Sequence, residues 1–146
     1  MKLTASSDFA YRMLIYVTTH PDRLVTVKEI ADAYQLSHNH LAKISKLYIK
    51  HGILDGQRGR GGGITLAKDP KDISLGDILR VSEPSPTLID CKNGLAGPCI
   101  ILPACTLKGI FAQARSAFYQ VLDQHSLYDI AAQPQLAASL NKIFEK

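Results

Sequence analysis

The chain has 146 residues, 46% hydrophobic and 21% charged, which fits one folded domain or a small domain with an oligomerisation element and argues against disorder. No apolar run approaches the ~18 residues of a membrane helix, and MKLTASSDFAYR holds no secretion-signal core, so the expected address is the cytoplasm, where thiols stay reduced. The net charge of +4 can all be placed on residues 37–60, where Lys43, Lys46, Lys50, Arg58 and Arg60 are opposed by Asp55 alone.

That patch suggests a polyanionic partner, or else a solvated basic face. Before it, residues 4–19 place Phe9, Met13, Tyr16 and Val17 at helical spacing, with Thr4, Ser6 and Ser7 as candidate N-caps and His20-Pro21-Asp22 as the stop. Thr26 and Glu29 have the spacing of a capping box, which predicts a short helix to Tyr34 burying Val27, Ile30 and Ala31. Gln35-Leu36 turns the chain, and Ser37 opens a third helix to about His51. Leu41, Ile44, Leu47 and Tyr48 make its apolar stripe, while Asn39, Lys43, Lys46 and Lys50 recur on a second face. A short helix, a tight turn and a helix with one buried and one cationic face fit a helix-turn-helix, and equally a surface helix with lysines in water.

The next segment favours the first of these. Ile53-Leu54 and Ile64-Thr65-Leu66 are β-prone runs around DGQRGRGGG, a glycine-rich hairpin tip. Two strands and a basic tip directly after a candidate recognition helix describe a winged helix. Arg58 and Arg60 sit where a wing meets the sugar-phosphate backbone or the minor groove. The tip matches neither GxxxxGK[ST] nor GxGxxG, which argues against a nucleotide loop.

Ser74-Leu75-Gly76-Asp77 opens a fourth short helix to about Ser82, and Glu83-Pro84-Ser85-Pro86 ends it. Further on, Pro103 is expected in the first turn of a long helix. Along that helix Leu107, Phe111, Ala114, Phe118, Val121 and His125 form a coiled-coil-like seam, broadened by Ile110, Ala117 and Leu122. So wide an apolar face needs a partner, and a symmetric homodimer is the economical one. Ser126 to Asp129 starts a last short helix, and Leu136, Leu140, Ile143 and Phe144 suggest another turn or two. The expected fold is mainly α: a winged helix-turn-helix DNA-binding domain over 1–82, a cysteine loop over 83–105, and a dimerisation helix with a tail over 106–146.

Every cysteine lies in CKNGLAGPCIILPAC, with the spacing C-x7-C-x5-C. Zinc sites usually show close C-x2–4-C pairs, which are absent. A nucleophilic thiol needs a positioned base, and the loop holds no histidine. An iron–sulfur cluster accepts wider spacings because its ligands attach to different irons, and Ile100, Ile101 and Leu102 are placed to shield it. Spacing alone ranks iron–sulfur above zinc, with structural thiols third. Three thiolates leave one position on a four-site cluster for Asp8, Asp90, His125, a solvent ligand or a second subunit. No paired carboxylates, catalytic triad or nucleotide loop emerges, so an enzyme is not expected.

Five stretches carry a resemblance: MKLTASSDFAYRMLIYV, SHNHLAKISKLYIKHGIL, RGRGGGITLAKDP, SLGDILR and PCIILPACTLKGIF. In order and spacing they resemble the iron–sulfur winged-helix repressors of the NsrR/IscR type over roughly residues 1–130. Lys108 stands where the IscR-like members place a histidine ligand, while Asp8 and HNHL resemble the nitric-oxide-sensing branch. The resemblance implies Cys91, Cys99 and Cys105 as ligands, with Asp8 reaching across from the other subunit. It implies a cluster, 4Fe–4S ahead of 2Fe–2S, both left open because the gap from Cys91 to Cys99 is wider than the family's usual five residues. The expected protein is a homodimeric repressor on a palindromic DNA operator, with nitric oxide as the signal. Ser37, His38, Asn39 and His40 would reach base edges, and Lys43, Lys46 and Lys50 the phosphates. The alternatives are an iron- or redox-sensing regulator of the same architecture, or an iron–sulfur carrier.

Overall fold

A computed structural model describes residues 2–83, 85, 87–89, 91, 97 and 99–133; Asp90 and the tail positions Leu136, Leu140, Ile143 and Phe144 lie outside them. Most helices start at a short polar residue whose side chain accepts an N–H that the first turn leaves without a partner. Thr4 serves Ser7 at the head of α1 (Ala5–Thr18), Thr26 serves Glu29 before α2 (Val27–Tyr34), and Ser37 serves His40 before α3 (His38–Lys50). Gln35, at φ 53°, makes the turn between α2 and α3, and the Leu36 N–H closes it on the Ala31 carbonyl at 2.8 Å.

Gly52, at φ 66°, ends α3 and sends the chain into β1 (Leu54–Gln57), which pairs antiparallel with β2 (Gly63–Leu66). Leu54 stands opposite Leu66, and Gln57 opposite Gly63. Val25 adds a third, one-residue strand against Ile64, with N···O distances of 3.0 and 2.8 Å. The approach is close enough that a Cβ on Gly63 would lie 2.7 Å from the Val25 carbonyl oxygen. Three helices and this small sheet form a winged helix-turn-helix.

A 3-10 turn at Pro70–Asp72, capped by Asp69, leads to α4 (Leu75–Ser82), which Ser74 caps through the Asp77 N–H. Ala10, Met13, Leu14 and Val17 of α1 pack against Ile30, Leu41, Ile44, Tyr48, Leu54, Ile64, Ile73 and Ile78 in one core. Each such large side chain contributes about 1.5–3 kcal/mol on burial. Two tyrosines tie α4 to the rest. The Tyr48 hydroxyl donates to the Ile78 carbonyl at 2.6 Å, and that of Tyr11 to Leu75 at 2.7 Å. Burial pushes Tyr48 up to about 12, so it stays a donor.

The long helix α5 (Leu107–Asp123) starts four residues later than Pro103 suggests. Pro103 sits instead in a pair of turns, closed by the Leu102 N–H on Cys99 and the Ala104 N–H on Ile101, which redirect the chain before the helix begins. The helix also stops before His125: the Gln124 and His125 N–H groups bond three residues back and tighten the last turn, so His125 is not on a helical seam. α5 buries Tyr119, while Leu107, Ile110 and Val121 of the expected seam are exposed. α6 (Leu127–Ala131) follows a reciprocal capping box between Ser126 and Asp129. Leu127 then enters the core beside α1, so the chain returns to the winged-helix head after α5. Among the described residues no helix is long and apolar enough to cross a membrane.

Candidate nucleic-acid interface and cysteine loop

The 3.6-residue repeat sorts α3 into two faces. Leu41, Ile44, Ser45 and Tyr48 are buried, whereas His38, Asn39, Lys43, Lys46 and Lys50 are exposed. His40 belongs to neither face. It is half-buried, its Nε2 lies 3.2 Å from the Ser6 hydroxyl oxygen, and its ring meets Phe9 edge-on at 5.0 Å. Ser37 is exposed and occupied as the helix cap. Arg58 and Arg60 are exposed on the wing tip, where Gly59 and Gly61 take φ values of 100° and 77°. At Gly62 a side chain would run into the Gln57 carbonyl oxygen. Among the described residues none of the five cations Lys43, Lys46, Lys50, Arg58 and Arg60 forms an ion pair, which leaves their charge available to a polyanion.

Cys91, Cys99 and Cys105 are free thiols. The Cys99 N–H donates to the Cys91 carbonyl at 3.0 Å, which draws together the two ends of the wider gap. The paired turns after Cys99 then carry the chain to Cys105. Among the described residues no three His, Cys, Asp or Glu side chains converge on one ion. The donor set is three thiols, a ligand type suited to an iron–sulfur cluster and to a thiolate-bound metal ion alike. Ile100 and Ile101 stand 95% and 59% exposed, so they do not shield the thiols within one chain.

Asp8 lies on the outer face of α1, paired with Arg12 at 3.0 Å, and its side chain is 51% exposed. Among the described residues it belongs to no group of ligating side chains, and its exposure leaves it open to a second molecule. The main chain of His125 is engaged on both sides: its carbonyl accepts from Leu75 N–H at 2.9 Å, and its N–H bonds to Leu122.

One residue of this region has no local signature in the sequence. Glu83, where the cysteine loop begins, accepts the Thr4 N–H at 2.8 Å and the Ser7 hydroxyl at 2.6 Å on the same Oε1. Burial alone would raise its carboxyl, but the hydrogen bonds from Ser7 and Thr4 outweigh it and hold the group below the usual carboxylate range. Glu83 thus fastens the start of the loop to the head of α1, the helix that carries Asp8 outward and meets His40 through Ser6.

Residues 3–133 match the family described as Rrf2, iron-dependent transcriptional regulator. The HTH-type transcriptional regulator NsrR of Bacillus licheniformis is 43% identical over 131 residues, covering 89% of this chain and 92% of the relative. The protein of the same name from Bacillus subtilis is 36% identical over 146 residues, covering 99% of this chain and all (100%) of the relative. The solved structure of T. potens IscR superposes with a TM-score of 0.70 at 25% identity, covering 89% of this chain and 85% of that one. The curated relatives are transcriptional regulators and not enzymes. With a match over nearly its whole length, the chain belongs to the Rrf2 family of transcriptional regulators.

Proposed function

We propose that this chain is a homodimeric transcriptional repressor that holds a palindromic operator while an iron–sulfur cluster is in place and releases it when nitric oxide reacts there. The observation that carries the reading is the set of three free thiols on one hydrogen-bonded loop. It stands in a chain 36–43% identical to regulators named NsrR. Cys91, Cys99 and Cys105 would hold the cluster, in the 4Fe–4S form ahead of 2Fe–2S, with Asp8 supplied by the second subunit. When bound, the cluster supplies iron with affinity for nitric oxide.

The chain's own residues supply the rest. The exposed apolar side chains Leu107, Ile110 and Val121 offer α5 to a second copy. Lys43, Lys46, Lys50, Arg58 and Arg60 supply phosphate contacts, and His38 and Asn39 face the bases from the first turn of α3. Asp8 and Ser6 sit two residues apart on α1, one facing solvent and the other touching His40. A carboxylate that exchanges between Arg12 and the neighbouring loop therefore shifts α1, and α1 shifts the reading helix. This is a coupling between two sites through one packed element.

The test is anaerobic purification with iron, acid-labile sulfide and absorption measurements, followed by operator binding with and without nitric oxide. Iron and sulfide in similar amounts, and release on nitric oxide, are expected. Zinc without sulfide overturns the reading. The family's iron-dependent description supports a second reading, in which binding follows iron supply and nitric oxide has no effect. Cluster without DNA binding in any state points to a carrier.

A further inference from the structure

Among the described residues, α4 of the DNA-binding head meets α5 at a compact joint. Among the described residues Tyr119 is the buried one on α5, at 7% exposure. Two guanidinium groups lie over its ring, Arg80 of α4 at 4.7 Å and Arg115 of α5 at 4.6 Å. Arg80 also forms two parallel hydrogen bonds to the Asp123 carboxylate at the end of α5, at 2.7 and 2.6 Å. Its Nη1 reaches Asp77 as well, at 3.1 Å.

Gly76 makes this approach possible. A Cβ there would fall on the Asp123 carboxylate and lie 2.9 Å from Arg80 Nη1. The obstruction would fall on side-chain ends and not on backbone, so a methyl group at 76 pries the joint open without disturbing α4 itself. Beyond the joint, the Leu75 N–H bonds to the His125 carbonyl at 2.9 Å, and Ser74 bridges to Ser126.

We infer that the Arg80–Asp123 pair, seated on Gly76 and Tyr119, sets the angle between each head and the dimer helix, and thereby the half-site spacing that the dimer accepts on DNA. The inference rests on the reading of a dimer joined along α5. In such a dimer the two α5 helices are the common frame, and the recognition helices must enter major grooves about 34–36 Å apart. One added base pair displaces a half-site by ~3.4 Å and turns it by roughly 35°. A planar guanidinium forked on a carboxylate resists pivoting in a way that a point charge does not. Arg80, Gly76 and Asp123 contribute neither to the basic face nor to the thiol set. They are positioning residues, and their effect is read in spacing.

The test uses the full-length protein and a palindromic duplex selected by the wild type from random sequence. Its centre is then lengthened or shortened by one and two base pairs, and in a second set single bases inside the half-sites are changed. The variants are Asp123→Asn, near-isosteric at a partly exposed position, and Gly76→Ala; Arg80→Lys replaces either one that loses the wild-type circular dichroism. The wild type is expected to lose about tenfold or more in affinity for one inserted base pair, and the variants less than about threefold, with half-site base preferences unchanged. Variants that keep the wild-type spacing penalty overturn the inference while leaving the dimer reading intact. A wild type that binds a lone half-site as tightly as the palindrome overturns both.

Discussion

The Ser6 hydroxyl oxygen lies 3.2 Å from His40 Nε2, and this contact pins the first turn of the recognition helix to the first turn of α1. Phe9 backs the same ring edge-on, and Glu83 holds the Thr4–Ser7 end of α1 from the start of the cysteine loop. His40 therefore orients α3, whereas Asn39 beside it is exposed. Asn39→Ala is expected to flatten preference at one base pair in each half-site, a loss of about 1–3 kcal/mol of discrimination per position. His40→Ala should weaken all operators alike. Binding to a panel of single-base operator variants separates the two; loss of preference at a single position in His40→Ala would assign it to base reading.

Lys43, Lys46, Lys50, Arg58 and Arg60, without an ion pair among the described residues, make a quantitative prediction. Replacing any one of them with alanine removes one phosphate contact from each subunit and should reduce the slope of log affinity against log salt by about 1.8 for the dimer, nearly uniformly across sequences. Titrations at several salt concentrations read the slope directly. A residue whose removal leaves it unchanged makes no phosphate contact.

Asp8 tests the proposed signal. Its exposure and its single ion pair with Arg12 make it dispensable for folding of its own chain. Asp8→Ala is expected to keep iron and sulfide in part, while the change in DNA affinity on adding nitric oxide, roughly 5–150-fold for an ordinary coupling, shrinks towards none. Unchanged nitric-oxide sensitivity in a cluster-loaded Asp8→Ala protein removes Asp8 from the mechanism.

The link between α1 and α2 has an acid-sensitive component. Arg23 is hydrogen-bonded to Glu29 and holds its carboxyl down to about 2, with the Tyr16 hydroxyl donating to the same group at 2.9 Å. The folded value lies below the ordinary 4.5, so the stabilisation is fully present above about pH 4.5 and is lost as pH falls towards 2. Glu29→Gln should cost about 1–2 kcal/mol at neutral pH, allowing for solvent screening of the half-exposed guanidinium. Urea unfolding of the two proteins at pH 7 and near pH 2 checks this, since the gap should close in acid.

Thr26, Ser37, Ser74 and Ser126 were legible as helix starts because a cap and the N–H it serves lie within three residues, whereas Thr4 shared its place with Ser6 and Ser7 until the structure chose it. The cationic face of α3 was legible for the same reason: residues on one helix face are set by spacing alone. The wing followed from two β-prone runs flanking glycines that take positive φ. The reading of α5 went astray at both ends, since Pro103 suits a turn as well as a helix start and an apolar repeat does not report where a helix stops.

The sequence by itself determined the order of elements, the winged helix-turn-helix, the location of the charge and the clustering of the thiols, all of which depend on short-range geometry. Tertiary structure alone decided which distant residues meet. Glu83 reaches Thr4 across 79 positions and Arg80 reaches Asp123 across 43, Leu127 returns to the core, and Tyr119 is buried where a seam was expected elsewhere. The physical reason is that a carboxylate becomes a clamp, or a glycine a seat, only when the path of the chain brings a partner within hydrogen-bond distance, and no local pattern encodes that path.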